Sequence, residues 1–160
     1  MKWTLWVRLS CSLMLLGPAS LAWGAAKKCP LAIEGNDQMQ FSTKELSVDT
    51  ACTEVALTLK HTGKLPKEAM GHNWVLAKEA DVDALVKAGL TAGLANDYVP
   101  KDDARVLAHT KVLGGGETTS VTFSTSKLKE GEKYKFFCLF PGHVGIMVGE
   151  FKYAKAPSKS

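Results

Sequence analysis

After residue 26 the sequence has no apolar run long enough to cross a membrane, no block of like charge, no internal repeat and no low-complexity segment, and only the closing "KAPSKS" reads as disordered. The first absence excludes a second membrane-spanning helix, which needs about 20 apolar residues. The second argues against nucleic acid: lysines stand singly among acids, with no basic stripe interleaved with aromatics. Histidine is scarce, with four in 160 residues. Trp74 is the single tryptophan beyond residue 26 and is expected in the core. Cysteine is scarce too. Past residue 26 there are Cys29, Cys52 and Cys138, so one disulfide leaves one thiol over, and three pairings are formally possible.

What is present first is a leader. "MKWTLWVRLSCSLMLLGPASLAWGAA" has Lys2 and Arg8, an apolar run around Leu9 to Leu16, a Gly17-Pro18 break and small residues at Gly24, Ala25 and Ala26, the layout of a secretory signal. Cleavage is expected after Ala26, with Ala22-Trp23-Gly24 as the alternative. Residues 1–26 are therefore read as a removed signal peptide, 27–153 as one domain, and 154–160 as a disordered tail. Without Lys2 and Arg8 the 20 basic residues fall by two against 16 acidic ones, so the mature chain is only slightly positive. With 46% hydrophobic and 22% charged residues it is an ordinary soluble globular domain. Export implies an oxidising compartment, where disulfides persist and an exposed free thiol is oxidised. Cys29 and Cys52 each sit beside a strand-like run with no histidine close by in sequence, which favours their bridge. Cys138 is then the thiol that needs protection, and a metal would supply it.

Short strands dominate. Val55, Leu57, Leu59 and His61 alternate with Ala56, Thr58 and Lys60, and Val121 and Phe123 alternate with Ser120, Thr122 and Ser124. Further strands are predicted at 30–34, 45–49, 72–77, 105–113, 133–140 and 147–153, several of them separated by "GND", "HTGKLP", "GGGE" and "KEGE". Seven or eight strands in one domain predict an all-β sandwich or barrel. In residues 79–90, Val82, Leu85, Val86 and Leu90 recur at helical spacing behind an acidic first turn, which predicts one short helix outside the sandwich.

The chemistry concentrates in "FFCLFPGHVGIMVG", where Cys138, His143 and Met147 lie within ten residues around a Pro141-Gly142 turn. Tyr134, Phe136, Cys138 and Phe140 share one face of the predicted strand, so the thiol sits among aromatics. Thiolate, imidazole and thioether together are a soft set that suits copper rather than magnesium or calcium. Two histidines and a cysteine with a weak methionine describe a blue-copper electron-transfer centre, and that needs a second histidine. His72, placed after Gly71 at a strand start in "MGHNWVL", is the best candidate, while His61 and His109 read as non-ligands. His143, on a loop, is expected to bring its ring edge to the surface while Cys138 stays buried.

On "EGNDQMQF", "LPKEAMGHNWVL", "DDARVLAHTK", "VTFSTSKLKEGEKYKFFC" and "FPGHVGIM", in that order and without gaps, residues 29 to about 152 resemble the azurins, bacterial blue-copper proteins of the cupredoxin family. The resemblance implies an eight-stranded Greek-key sandwich with a helical flap and a Cys29–Cys52 bridge. It implies one copper per chain, held by His72, Cys138 and His143, with Met147 as a long axial contact and the Gly71 carbonyl opposite. It implies that Asn73 ties the two ligand loops together, and that Met39, Leu65, Met70, Leu90 and Phe140 form an apolar docking patch. The implied function is carriage of single electrons between periplasmic redox partners such as c-type cytochromes, nitrite reductase or amine dehydrogenase, by a monomer that is not an enzyme. The "KKC" start, Leu139, Gly145, Ile146 and the tail beyond Tyr153 depart from the family pattern. None removes a ligand; they bear on the potential and on the partner surface.

Other classes fit less well. A copper oxidase or nitrite reductase needs a second copper, and His61 and His109 alone do not make its site. A storage or delivery protein favours clustered, exchangeable Cys or Met, whereas here the methionines are dispersed. Zinc also accepts two histidines and a cysteine.

Overall fold

The structure, a computed structural model, describes residues 27–156; the predicted signal peptide, and residues 157–160 of the predicted tail, lie outside the described residues. Eight strands follow in chain order: β1 Lys28–Gly35, β2 Glu45–Asp49, β3 Glu54–His61, β4 Val75–Lys78, β5 Ala108–His109, β6 Thr118–Ser124, β7 Tyr134–Phe137 and β8 Val148–Ala154. They form a three-stranded sheet, β1-β3-β6, and a five-stranded sheet, β2-β8-β7-β4-β5. β1 runs parallel to β3 and β2 parallel to β8, while the other pairs are antiparallel. Parallel pairing brings strands distant in the chain side by side, and the all-β fold is the eight-stranded sandwich that the alternation predicts.

The alternation of β3 decides its orientation. Val55, Leu57, Leu59 and His61 are all fully buried, whereas Lys60 of the opposite face is exposed. Between the sheets Trp74 is fully buried, with ring centroids of Phe123, Phe136 and Phe151 6.0–6.3 Å away. Burying such an aromatic removes roughly 150–250 Å² from water, about 4–6 kcal/mol at 25 cal/mol per Å². The Cys29–Cys52 disulfide, 23 residues apart, pins the start of β1 beside that of β3.

A second, smaller core lies on the outer face of the five-stranded sheet, where Val75, Ala77, Phe137 and Leu139 meet Leu85. Leu85 belongs to α2, Val82–Ala92, the predicted helix, and a 3-10 turn at Glu79–Asp81 precedes it. Its expected apolar stripe is only partly inward: Val82 and Val86 pack against this core, but Leu90 is exposed. A single helical turn, α1 Lys67–Met70, adds a second helix that carries no periodicity to predict it.

Three predicted strands are shorter than expected, for one physical reason. Ladder bonds give way to other bonds at the end of the molecule where the histidines gather. His72 exchanges two backbone hydrogen bonds with Leu113 in an isolated bridge, and the Trp74 amide donates to Thr110 Oγ1. The Leu139 amide donates to the Asn73 side chain. So 72–77 pairs as a strand only from Val75, 105–113 is reduced to Ala108–His109, and 133–140 stops at Phe137. The strand predicted at 147–153 runs one residue further, to Ala154, which pairs with Asp49, and the Ala156 amide donates to Asp49 Oδ2.

Candidate metal centre

Four chain segments meet at this end. The loop after β1 turns on Asn36, whose Oδ1 accepts from the amides of Gln38 and Gln40 at 3.0 and 3.2 Å, an Asx turn. That turn aims the Asn36 carbonyl inward, where it accepts from His72 Nε2 at 2.7 Å. The His72 hydrogen is thereby placed on Nε2, and Nδ1 keeps its lone pair. Nδ1 is buried and has no hydrogen-bond partner. A buried acceptor left unpaired costs about 1–3 kcal/mol, a cost that a cation on that lone pair removes.

Gly71, just before His72, is required by space: a Cβ there would lie 2.6 Å from Val112 Cγ1 and 3.0 Å from a Phe140 ring carbon. Its carbonyl oxygen is 4.0 Å from Cys138 Sγ. Cys138 follows β7, its amide donating to the Met147 carbonyl at 3.0 Å, and its side chain is fully buried. Burial pushes its thiol up to about 12, against the weaker effect of the Asn73 and Phe140 backbone amides. The chain then reverses through Pro141 and Gly142, with Gly142 at φ +82° and the His143 amide donating to the Phe140 carbonyl at 3.0 Å. Proline second and a positive-φ glycine third make a type II turn, which carries His143 back to the sulfur. His143 Nδ1 stands 3.7 Å from Cys138 Sγ.

Met147, fully buried, completes the cluster; its amide donates to the His143 carbonyl at 2.8 Å. Gly35 backs both it and His72, since a Cβ there would meet His72 Cδ2 at 2.8 Å and Met147 Cε at 3.4 Å.

The donor atoms of His72, Cys138 and His143 all lie within 4.8 Å of one another. Two ligands on one ion are at most about 4.0–4.6 Å apart for nitrogen and sulfur donors, so little adjustment is needed. Burial lowers the pKa of both histidines, that of His143 to about 4 with His72 and His61 adding to the effect, so both rings offer neutral lone pairs at neutral pH. The residues therefore fit a soft cation, and ligation requires Cys138 to release its proton.

Asn73, fully buried, ties loops together: Oδ1 accepts from the Leu139 amide at 2.8 Å and Nδ2 donates to the Asp97 carbonyl at 2.7 Å. His61 lies outside the ligand group but against it, stacked on His72. Its place on β3 reads only as an inward position, so sequence reasoning missed the stacking. His109 is exposed at the end of β5 and outside the group.

The surface above the cluster differs in detail from the expected patch. Leu65 and Leu90 are exposed by 42% and 58%, and Met39 and Met70 are half-buried. Phe140 is not a surface residue: it is buried between His143 and Tyr98, with centroids 4.6 and 5.3 Å away, because the turn folds it inward. His143, expected to bring its ring edge to the surface, is instead buried at 3% exposure, against none for Cys138, and the exposed residues of this turn are Pro141 and Gly142. Ile146, one of the departures from the family pattern that bear on the partner surface, is 47% exposed on the same loop.

Comparison with known proteins agrees with this geometry. A family model described as copper binding proteins of the plastocyanin/azurin family matches residues 27–153. The chain is similar to an azurin of Alcaligenes faecalis, 62% identical over 121 residues that cover 76% of this chain and 94% of that one. It is similar to an azurin of Pseudomonas aeruginosa, 54% identical over 124 residues covering 78% and 84%. Among solved structures, an azurin of the obligate methylotroph Methylomonas sp. strain J superposes with a TM-score of 0.76 at 45% identity, covering 78% of this chain and 97% of that one.

Proposed function

The chain belongs to the plastocyanin/azurin family of copper-binding proteins, and on that premise we propose that His72, Cys138 and His143 hold its copper, with Met147 and the Gly71 carbonyl as weak further contacts. The protein is a blue-copper electron carrier, not an enzyme. The observation that carries the ligand assignment is the gathering of three soft donors within 4.8 Å, with His72 Nδ1 buried and unpartnered.

Copper bound there supplies a one-electron couple between Cu(II) and Cu(I). The chain's part is to keep its ligands still, since the two oxidation states favour different geometries and a fixed site limits rearrangement. His72 is held by the Asn36 carbonyl and by its bridge to Leu113. Cys138 is held by the Met147 carbonyl, and its strand neighbour Leu139 by Asn73. Phe137, Leu139 and α2 close the outer side against water. Asn73 acts here as the tie between the two ligand loops.

Redox proteins are the partners of a carrier of this kind. The exit for electrons is His143, the ligand nearest the surface, and the docking face is the apolar surface of Met39, Leu65, Met70 and Leu90 around it. Phe140 supports that face from beneath. A small face without ion pairs suits partners that must separate quickly. The partners read best as a c-type cytochrome, a nitrite reductase or an amine dehydrogenase, met by a monomer in the periplasm after residues 1–26 have been removed.

Substitution of single ligands tests the assignment. In copper-loaded protein, His72→Gly and His143→Gly each lose the native visible and EPR spectra, and added imidazole restores them. Spectra unchanged by either substitution would overturn the ligand set, and a preference for zinc with no spectrum would favour a zinc site.

A further inference from the structure

Lys44 stands immediately before β2, on the surface and in the opposite half of the sequence from the metal loop. Its ammonium donates to the Ile146 carbonyl and, at 3.3 Å, to the Val148 carbonyl. Its own carbonyl accepts from the Glu150 amide at 2.8 Å. One residue thus holds the chain at 146, 148 and 150. Between the first two anchor points is Met147, buried, with its amide on the His143 carbonyl and its carbonyl on the Cys138 amide.

That placement matters because of what Met147 does. A weak, long thioether contact does not fix its own distance, so the backbone that carries the methionine must. At Ile146 this backbone is on the last residue of the loop turn, and it enters β8 only at Val148. Donors from an ammonium are stronger than neutral ones. Three hydrogens on one compact centre also let a lysine bridge two carbonyls at once.

We infer that Lys44 is a positioning residue for Met147, a clamp on the two carbonyls that flank it. The inference rests on the reading of Met147 as the axial copper contact. Loss of the clamp lets Met147 drift and changes the balance between the two copper states.

The test compares Lys44→Met, Lys44→Arg and Met147→Ala with the parent protein. In the copper-loaded proteins at about 1 M salt, where the Debye length is about 3 Å and a surface charge is screened, the reduced-to-oxidised ratio is read at fixed potential. Lys44→Met is expected to shift this ratio roughly threefold or more, in the same direction as Met147→Ala. Lys44→Arg, which keeps the donors, restores most of it. In the metal-free protein, Lys44→Met speeds hydrogen exchange at the Cys138 and Met147 amides and leaves the Leu57 amide of β3 unchanged. A ratio and exchange rates untouched by Lys44→Met, while Met147→Ala moves the ratio, would overturn the role of Lys44 alone. A ratio untouched by Met147→Ala would overturn the axial reading, and the Lys44 inference with it.

Discussion

The imidazole of His61 lies flat on that of His72, with centroids 4.3 Å apart and planes 10° from parallel. His61 is locked in turn: its Nδ1 accepts from the Gly63 amide at 3.0 Å, and its Nε2 donates to the Met70 carbonyl at 2.9 Å. A residue outside the donor group is therefore stacked on one proposed ligand and also holds the carbonyl that precedes Gly71. His61→Phe keeps the stacked ring but orphans the Gly63 amide and the Met70 carbonyl. It is expected to lower the stability of the metal-free protein by roughly 1–3 kcal/mol, read as an earlier urea midpoint. An unchanged midpoint would show that these bonds hold nothing.

Asn73 serves two loops from inside the protein, so its loss strands two partners. Asn73→Ala leaves the Leu139 amide and the Asp97 carbonyl unpaired and opens a small cavity. The expected cost is roughly 2–4 kcal/mol, with faster hydrogen exchange at the Leu139 amide. Exchange at Leu139 no faster than in the parent would remove Asn73 from its tie between the loops.

Stability of the metal-free protein has a window set by the ligands themselves. Below the ordinary histidine value of 6.5 the unfolded chain binds a proton that the folded chain refuses until about 4 at His143, so stability falls as pH drops through this range. Above the ordinary thiol value of 9.0 the unfolded chain loses a proton that folded Cys138 keeps until about 12, so stability falls again as pH rises. Each group contributes a slope of at most about 1.4 kcal/mol per pH unit. Urea midpoints across pH 4–10 check both arms, and Cys138→Ser is expected to flatten the alkaline one alone. An alkaline arm that survives Cys138→Ser would have another source.

Much of this was legible in the sequence because it is periodic or local. The alternation of Val55, Leu57 and Leu59 places β3, and the 3.6-residue spacing of Val82, Leu85 and Val86 places α2. Cys138, His143 and Met147 announce themselves by crowding into one loop. What escaped depends on contacts between distant segments. His61 looks like any inward strand residue until the fold lays it on His72, and Lys44 like any surface lysine until β2 comes beside β8. Phe140 entered the docking patch through the family resemblance, while its alternation with Tyr134, Phe136 and Cys138 already pointed inward, and the fold buries it between His143 and Tyr98. The strands at 72–77 and 133–140 were overlong because Asn73 and Thr110 side chains take bonds that a ladder would otherwise hold.

The central claim is that Cys138, with two histidines, makes a copper thiolate, and its most direct measurement is the visible spectrum after Cu(II) is added to the purified protein. The account predicts an intense blue colour at one copper per chain, bleached by one electron and absent in Cys138→Ser. A colourless protein that binds copper normally, or a blue colour that survives Cys138→Ser, would contradict it.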